Sequence, residues 1–262
     1  MSCELSEAAR PAAGAPIRAV VFDAYNTLFR FSETEHRLFL ASILAEQGLE
    51  ADLDGFAESV RKSYLRVGPW AEHVRGDGSV DREQMVGGPP PPWISLSEIW
   101  RRQFEHAFRE HELAGDAPAA ADRLRLHLAA ADPHDDAHDT VEAIAARGLL
   151  VGLLSNADDD FVHSAIARAR LRFSAIASSE SLGAYKPHRV VFDAICQRLR
   201  CDPAEVLYVG DSPQADVHGA KHAGLRAAWI RRTDVGDYPE GIPRADHVVG
   251  SLAELVTLPG IG

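Results

Sequence analysis

Four short polar groups follow apolar runs in this 262-residue chain. They are Asp23-Ala24-Tyr25-Asn26-Thr27, Ser155-Asn156, Lys186-Pro187, and Gly210-Asp211-Ser212 with Asp216. An aspartate directly after a buried strand is poorly placed to be only a surface residue, and its carboxylate can attack phosphorus or carbon to form a covalent intermediate that water opens. The position therefore predicts Asp23 as a nucleophile, with capping of the next turn as the alternative.

The other three groups carry residues that suit the same chemistry. Asp211 and Asp216 would bring two more carboxylates to Asp23, and their mutual repulsion predicts a hard divalent cation, Mg²⁺ above all. The alternative is a turn at Asp211 and a helix cap at Asp216. Lys186 could hold Asp23 ionised and balance charge on a transferring group. Without such neighbours, a Lys-Pro pair would indicate an exposed turn. Ser155 and Asn156 offer hydroxyl and amide donors for an oxyanion. The alternative is that the pair belongs to a loop or caps a helix.

Alternating strands and helices would position these groups. Apolar runs predict strands at 17–22, 149–154, 173–177, 206–209 and 227–230, and helices are predicted at 140–147, 159–170, 189–198 and 215–223. This alternation predicts an α/β fold, a doubly wound parallel sheet with helices on both faces. Ligands of such sheets bind beyond the carboxyl ends of the strands, where the four groups fall.

Residues 31–136 interrupt the alternation and are predicted to form an all-helical cap. Ser32 with Glu35 predicts a capping box before a helix whose apolar face carries Leu38 and Leu44, and Ser95 with Glu98 predicts another helix start. A Gly/Pro-rich loop is predicted at about 68–93. The α/β core would then comprise 17–30 and 137–262, and residues 1–16 would be a flexible N-terminal tail.

Composition restricts the partners. The chain has 27 Lys and Arg against 39 Asp and Glu, a formal charge of −12, which disfavours nucleic acid and anionic membranes. No apolar run reaches the roughly 20 residues that span a bilayer. Cys3, Cys196 and Cys201 are too few for a disulfide framework, so we expect reduced thiols in the cytoplasm. With nucleic acid and membranes disfavoured, we expect a small-molecule substrate. His163, His188, His218 and His222 are expected on helix surfaces.

In order and context the four groups resemble the motifs of the haloacid dehalogenase superfamily, over nearly the whole chain after residue 17. The helical segment is similar to the cap domain of that family. The resemblance implies that Asp23 is the nucleophile, that Thr27 and Ser155 bind the transferring group, and that Lys186 steadies it. It also implies a Mg²⁺ site formed by Asp23, the Tyr25 carbonyl, Asp211 and Asp216.

One residue departs from the pattern of the family phosphatases. The family phosphatases usually have a second aspartate two residues after the nucleophile, and it acts as acid and base. This chain has Tyr25 at that position. Because a tyrosine of ordinary pKa about 10 is a poor base at neutral pH, the rate could fall by roughly 10²–10⁴-fold. Asp-x-Tyr is instead similar to the first motif of the 2-haloacid dehalogenases, whose halide leaving group needs no proton.

The fourth group favours a phosphatase, because its aspartates resemble the metal-binding motif of the family phosphatases. The family dehalogenases have a Ser/Asn-rich fourth motif instead and use no metal. The leading hypothesis is a Mg²⁺-dependent phosphatase acting on a small ester through an aspartyl-phosphate on Asp23. The first alternative is a metal-independent 2-haloacid dehalogenase. The second is a binding protein that has lost turnover at Tyr25. The sequence leaves the substrate and the oligomeric state open.

Overall fold

A computed structural model describes residues 15–76, 78–232 and 238–261 of the chain. Residues 1–14, which make up most of the predicted tail and include Cys3, lie outside the described residues, so that prediction stays untested. Cys196 and Cys201 are free, buried thiols. In the described part of the chain, no helix is both long and apolar enough to cross a bilayer.

The described residues contain one parallel sheet of six strands in the order β3-β2-β1-β4-β5-β6. Its strands are β1 (Ala19–Phe22), β2 (Leu150–Ser155), β3 (Ala175–Ser178), β4 (Val206–Gly210), β5 (Arg226–Ile230) and β6 (His247–Val249). The central strands β1 and β4 are buried at every residue, as expected for strands covered on both faces. The predicted doubly wound α/β fold is therefore confirmed, while β6 was not predicted.

Helices connect these strands. They are α1 (Glu33–Glu46), α2 (Leu53–Val67), α3 (Arg82–Gly87), α4 (Leu96–Glu110), α5 (Ala117–Ala129), α6 (Ala137–Ala146), α7 (Asp159–Ala169), α8 (Ser179–Leu182), α9 (Arg189–Leu199) and α10 (Gly219–His222). The helix predicted at 215–223 is wrong in form, because a π-helical segment, Pro213–His218, precedes the short α10. This segment carries Asp216 and begins shortly after the end of β4.

The inserted cap contains α1 to α5, between β1 and α6. Ser32 and Glu35 form the predicted capping box of α1. The predicted apolar face of α1 is wrong at Leu38, which is 65% exposed, because α1 buries Phe39, Leu40, Ile43 and Leu44 instead. The loop predicted at about 68–93 is also not uniform, since a 3-10 turn at Ala71–His73 and the helix α3 fall within it.

The cap is tied to the core beyond its two chain connections. Asp158, after β2, accepts hydrogen bonds from the backbone N–H groups of Leu96 (2.8 Å) and Ser97 (3.1 Å) at the start of α4. The Ile94 N–H donates to the Tyr185 hydroxyl at 3.3 Å. Asp158 is 5% exposed, so this contact is buried. We call these contacts, together with the one described next, the cap tether.

A histidine completes the cap tether. His188 Nε2 lies 2.7 Å from the Gly88 carbonyl oxygen, and its Nδ1 accepts the Val190 N–H, which assigns the donating hydrogen to Nε2. The expectation that His188 and His218 are surface residues is wrong, since both are buried. His188 faces the cap, which a helix pattern within the core does not reveal.

Candidate active site

Asp23 lies at the carboxyl end of the central strand β1, where its N–H donates to the Val209 carbonyl at 2.9 Å. The side chain is 6% exposed. Its Oδ1 accepts hydrogen bonds from Ser155 Oγ at 3.1 Å and from Lys186 Nζ at 2.6 Å. Because both bonds go to Oδ1, the second oxygen, Oδ2, is the one left to act on a substrate.

Lys186 is the buried cation of the site and is 4% exposed. Its ammonium also donates to Asp216 Oδ1 at 2.6 Å and to the Tyr208 hydroxyl at 3.0 Å. Burial lowers the pKa of Lys186, but the Asp216 and Asp23 carboxylates outweigh it and raise the pKa well above its ordinary value. The lysine is therefore a permanent positive charge beside Asp23.

Two carboxylates contact this ammonium, and a third lies beside them. Oxygens of Asp23, Asp211 and Asp216 all lie within 4.8 Å of one another. Burial is the main cause that raises the pKa of Asp23, helped by Asp216 and opposed by Lys186. Burial also raises the pKa of Asp211 to about 7, with Asp216 and Asp23 adding to it. The excess of negative charge makes this cluster a candidate site for a divalent cation.

The two aspartates after β4 are held differently. Asp211 accepts Asn26 Nδ2 on Oδ2 at 2.8 Å, and its carbonyl accepts Trp229 Nε1 at 2.8 Å. Asp216 uses both oxygens, one for Lys186 and the other for the Ser212 N–H at 2.9 Å. A Cβ on Gly210 would overlap the Asp216 carboxylate, so only glycine permits this close approach at the end of β4.

The predicted substrate-binding residues lie at the carboxyl end of β2 and in the loop after β1. Ser155 ends β2 and touches Asp23, as described above. Asn156 joins its loop to that of Lys186, because Asn156 Nδ2 donates to the Lys186 carbonyl (3.1 Å) and Asn156 Oδ1 accepts the Lys186 N–H (2.8 Å). Asn156 therefore positions Lys186. Thr27 is fully buried, and its Oγ1 has no hydrogen-bond partner among the described residues.

Tyr25 follows the nucleophile, but its hydroxyl is engaged by the cap. It donates to the Leu128 carbonyl of α5 at 3.2 Å. The ring lies among aromatic neighbours, 5.7 Å from Phe161 and 5.9 Å from Phe29 between centroids. Burial raises the pKa of the phenol well above its ordinary value, and the Asp23 carboxylate adds to this. The Tyr25 carbonyl oxygen accepts no hydrogen bond from the described residues.

Sequence reasoning missed two residues that support the site. Tyr208 is fully buried on β4, accepts from Lys186 and donates to the Leu154 carbonyl at 2.8 Å. Arg232 donates to the Thr27 carbonyl at 2.9 Å and to Asp136 at 2.8 Å. The hydroxyl group of Tyr208, inside the apolar run 206–209, was a sequence feature that could have identified this residue. Nothing in the local sequence indicated Arg232.

One cavity adjoins the site, and a second lies beside it within the cap. The cleft has a volume of about 810 Å³ and includes Tyr25, Asn26 and Asp211 in its wall. The chamber has a volume of about 290 Å³ inside the cap, and its wall includes Val60, Tyr64, Trp100, Phe104, Leu124 and Leu128. Phe31, His36 and Arg61 line both cavities. The cleft and the chamber are therefore neighbouring parts of one space.

The fold and these side chains place the chain among α/β enzymes that work at the carboxyl edge of a parallel sheet beneath a helical cap. A family model for haloacid dehalogenase-like hydrolases matches residues 17–224. The chain belongs to this family, as the resemblance of its motifs predicted.

Known relatives carry out different reactions. The chain is 31% identical over 228 residues to phosphoserine phosphatase of Thermus thermophilus, covering 82% of this chain and 90% of that protein. It is 30% identical over 165 residues to (S)-2-haloacid dehalogenase 4A of Burkholderia cepacia, covering 61% and 70%. A structure of L-2-haloacid dehalogenase from Xanthobacter autotrophicus with chloropropionic acid covalently bound has a TM-score of 0.70 at 22% identity, covering 92% and 98%. Hydrolysis is common to the family, and the relatives divide between phosphatases and dehalogenases.

Proposed function

We propose that this protein is a Mg²⁺-dependent phosphatase that hydrolyses a small phosphate monoester through an aspartyl-phosphate on Asp23. The observation that carries the proposal is the cluster of three carboxylates, Asp23, Asp211 and Asp216, around the single ammonium of Lys186. A halide displacement needs one carboxylate nucleophile. Two further carboxylates beside it repel one another when ionised, and a bound cation relieves that repulsion.

The donors of this cluster suit magnesium. Mg²⁺ prefers oxygen ligands and keeps several waters, so one or two carboxylates suffice. Asp23, Asp211 and the Tyr25 carbonyl are the donors that we propose would hold it, and Asp216, whose oxygens both accept hydrogen bonds, would add its charge. When bound, the metal supplies positive charge to the phosphoryl oxygens.

The residues of the chain then carry the reaction. Asp23 Oδ2 forms a bond to phosphorus while the bond from phosphorus to the alcohol oxygen breaks. Lys186 and Ser155 hold the other oxygen, Oδ1, and so orient the nucleophile. We assign Thr27 Oγ1, which has no hydrogen-bond partner among the described residues, to donate to a phosphoryl oxygen. Water then attacks phosphorus, which releases inorganic phosphate and restores the Asp23 carboxylate.

Tyr25 limits the range of substrates in this proposal. Because its hydroxyl already donates to the Leu128 carbonyl, its proton is engaged and is not offered to a leaving alcohol. The alcohol must take its proton from water, so turnover is slow for poor leaving groups. We keep the further predictions that the protein works in the cytoplasm on a small molecule, without nucleic acid or membrane partners.

The test is phosphate release from a panel of small esters. We expect steady turnover with Mg²⁺, none with EDTA, and none from Asp23→Asn under either condition. Acid quenching during turnover should trap a phosphorylated peptide that contains Asp23. Turnover that continues in EDTA, or ligand binding without turnover across a broad panel, would contradict the proposal. The second result would indicate a binding protein.

A second candidate function is hydrolytic dehalogenation of a small 2-halo acid. The contact that favours it is the hydrogen bond between the Tyr25 hydroxyl and Leu128, since a halide needs no proton when it leaves. Halide release from 2-chloropropionate in EDTA, lost in Asp23→Asn, would establish it. Phosphate release that requires Mg²⁺, with no halide release, would exclude it.

A further inference from the structure

The chamber inside the cap is linked to the loop of the nucleophile through one residue of its wall. Leu128, whose carbonyl accepts the Tyr25 hydroxyl, forms part of its wall. Tyr64 forms another part, and burial raises the pKa of this phenol to about 12. The cleft, whose wall includes Tyr25 and Asp211, shares three other wall residues with the chamber, so the chamber is reached from the site through the cleft.

The wall of the chamber is largely apolar and aromatic. Trp100 and Phe104 come from α4, and Leu124 and Leu128 come from α5. None of the described residues that line it is a carboxylate, and the Gln103 amide already donates to the Val60 carbonyl at 2.8 Å. An apolar cavity of about 150 Å³ can hold a benzene molecule. At about 290 Å³, the chamber has room for one ring with a short linker.

The cleft, in contrast, offers no spare positive charge for a second anionic group. Both of the arginines that line it in the described part of the chain are already paired, Arg37 with Asp54 and Arg61 with Glu58. Arg61 makes two hydrogen bonds of 2.7 Å to the Glu58 carboxylate. A second phosphate or a carboxylate on the substrate would compete with these carboxylates for the two guanidinium groups.

We infer that the leaving group of the substrate is an uncharged, apolar alcohol about the size of one aromatic ring, held in the chamber. This inference rests on the proposed function. Phosphoryl transfer is roughly in line, so the leaving oxygen lies opposite Asp23 Oδ2. An attack by Asp23, at the edge of the sheet, directs the leaving group away from the sheet and into the cap. The aromatic wall would then exclude water from the apolar part of the alcohol.

The experiment compares two phosphate esters of primary alcohols on the full chain with Mg²⁺. Benzyl phosphate carries a ring, and glycerol 1-phosphate carries hydroxyl groups. One methylene group in an apolar pocket changes kcat/KM by roughly 10–200-fold, so we expect kcat/KM for benzyl phosphate to be at least about tenfold higher. Equal values, or a preference for glycerol 1-phosphate, would overturn the inference while leaving the phosphatase proposal intact.

A matched pair of variants on α5 tests the chamber itself. Leu124→Phe adds volume to the wall, whereas Leu126, on the same helix, is 49% exposed and lies outside the chamber. We expect Leu124→Phe to lower the ratio of kcat/KM for benzyl phosphate to that for acetyl phosphate by at least about tenfold, and Leu126→Phe to leave the ratio unchanged. Equal effects of the two variants would overturn the inference. If Leu124→Phe does not fold, Val60→Phe replaces it.

A binding measurement separates failure of the inference from failure of the proposed function. Benzylphosphonate, which cannot be hydrolysed, is titrated into the protein with Mg²⁺ by calorimetry. We expect Leu124→Phe to raise its Kd by at least about tenfold relative to Leu126→Phe. This loss would support the chamber as a ring site even if no ester were hydrolysed. If benzylphosphonate does not bind, or binds equally to both variants, the inference is overturned.

Discussion

Lys186 Nζ lies 2.6 Å from Asp23 Oδ1, and both residues are more than nine-tenths buried. Removing the ammonium would leave Asp23 and Asp216 without their cation. We expect Lys186→Met to lower kcat by about 10²–10³-fold, as for loss of a preorganised electrostatic donor. Breaking a buried pair also costs about 3–5 kcal/mol of unfolding free energy, measurable by urea denaturation.

Lys221→Met is the matched control for Lys186→Met. Lys221 pairs with Asp246 at 2.7 Å, but both side chains are partly exposed, at 23% and 34%. Such a pair contributes about 0–1 kcal/mol, so we expect nearly unchanged stability and activity. Similar losses in the two lysine variants would contradict the role of Lys186 beside Asp23.

The hydroxyl of Tyr25 gives a second prediction. Because it donates to the Leu128 carbonyl, we expect Tyr25→Phe to keep kcat within about threefold, well short of the 10²–10⁴-fold typical of a lost acid or base. The cost should be about 1 kcal/mol of stability for one lost hydrogen bond. Rates of phosphate release and denaturant midpoints check both numbers. A hundredfold fall in kcat would instead make the hydroxyl a catalytic group.

The response to Mg²⁺ should depend on pH. Asp211 has a pKa of about 7 in the folded, metal-free chain, raised from its ordinary 3.8. The stability due to this bound proton is therefore fully present below pH 3.8 and is lost as the pH rises through about 7. Because Mg²⁺ requires the ionised carboxylate, we expect it to bind about tenfold more weakly at pH 6 than at pH 8.

Thermal unfolding measures this pH dependence. At saturating Mg²⁺ a tenfold change in Kd is about 1.4 kcal/mol, so the rise in Tm should be roughly 3–5 °C smaller at pH 6 than at pH 8. Asp211→Asn should show no rise at either pH. A rise in Tm that is the same at both pH values would show that Asp211 does not bind the metal.

Asn26 positions Asp211. Its Nδ2 donates to Asp211 Oδ2 at 2.8 Å from a backbone with φ of 60°. Partners that orient a metal ligand change metal affinity by roughly 10–100-fold, so we expect Asn26→Gly to weaken Mg²⁺ binding by at least about tenfold in calorimetry. Arg200→Gly, at a helix end with φ of 54°, is the control for relief of the left-handed backbone. Unchanged Mg²⁺ affinity in Asn26→Gly would contradict this role.

Arg232 connects the loop after the nucleophile with the segment in which the chain passes from the cap back to the core. Its guanidinium donates to the Thr27 carbonyl and to Asp136, and the arginine and aspartate side chains are 12% and 20% exposed. We expect Arg232→Gln to cost about 1.5–3 kcal/mol, as for hydrogen bonds to a charged group. Arg30→Gln is the control, because Arg30 pairs with Asp135, which is 96% exposed. Equal losses of unfolding free energy in the two variants, measured by urea denaturation, would contradict this role of Arg232.

The sequence predicted the parallel sheet and the residues at its carboxyl edge because both depend on local patterns. Apolar runs that end in Asp23, Ser155 and Asp211 are visible without tertiary contacts. Long-range contacts were not predictable in this way. The hydroxyl of Tyr208 stands out in its apolar run, but its partner Lys186 is known only from the fold, and the exposure of Leu38 depends on which face of α1 meets α2 and α5. The burial of His188 likewise depends on a cap segment about 100 residues earlier.

The cap tether has a consequence for the way in which the protein melts. If the cap were held only by its two chain connections, it could unfold before the sheet, and calorimetry would show two heat-absorption peaks. Here α4 begins on Asp158, which follows β2, and the segment before α4 contacts Tyr185 and His188, beside Lys186. Loss of the cap therefore also removes contacts from the sheet loops. We expect one cooperative transition, with equal calorimetric and van't Hoff enthalpies, that divides into two in Asp158→Ala.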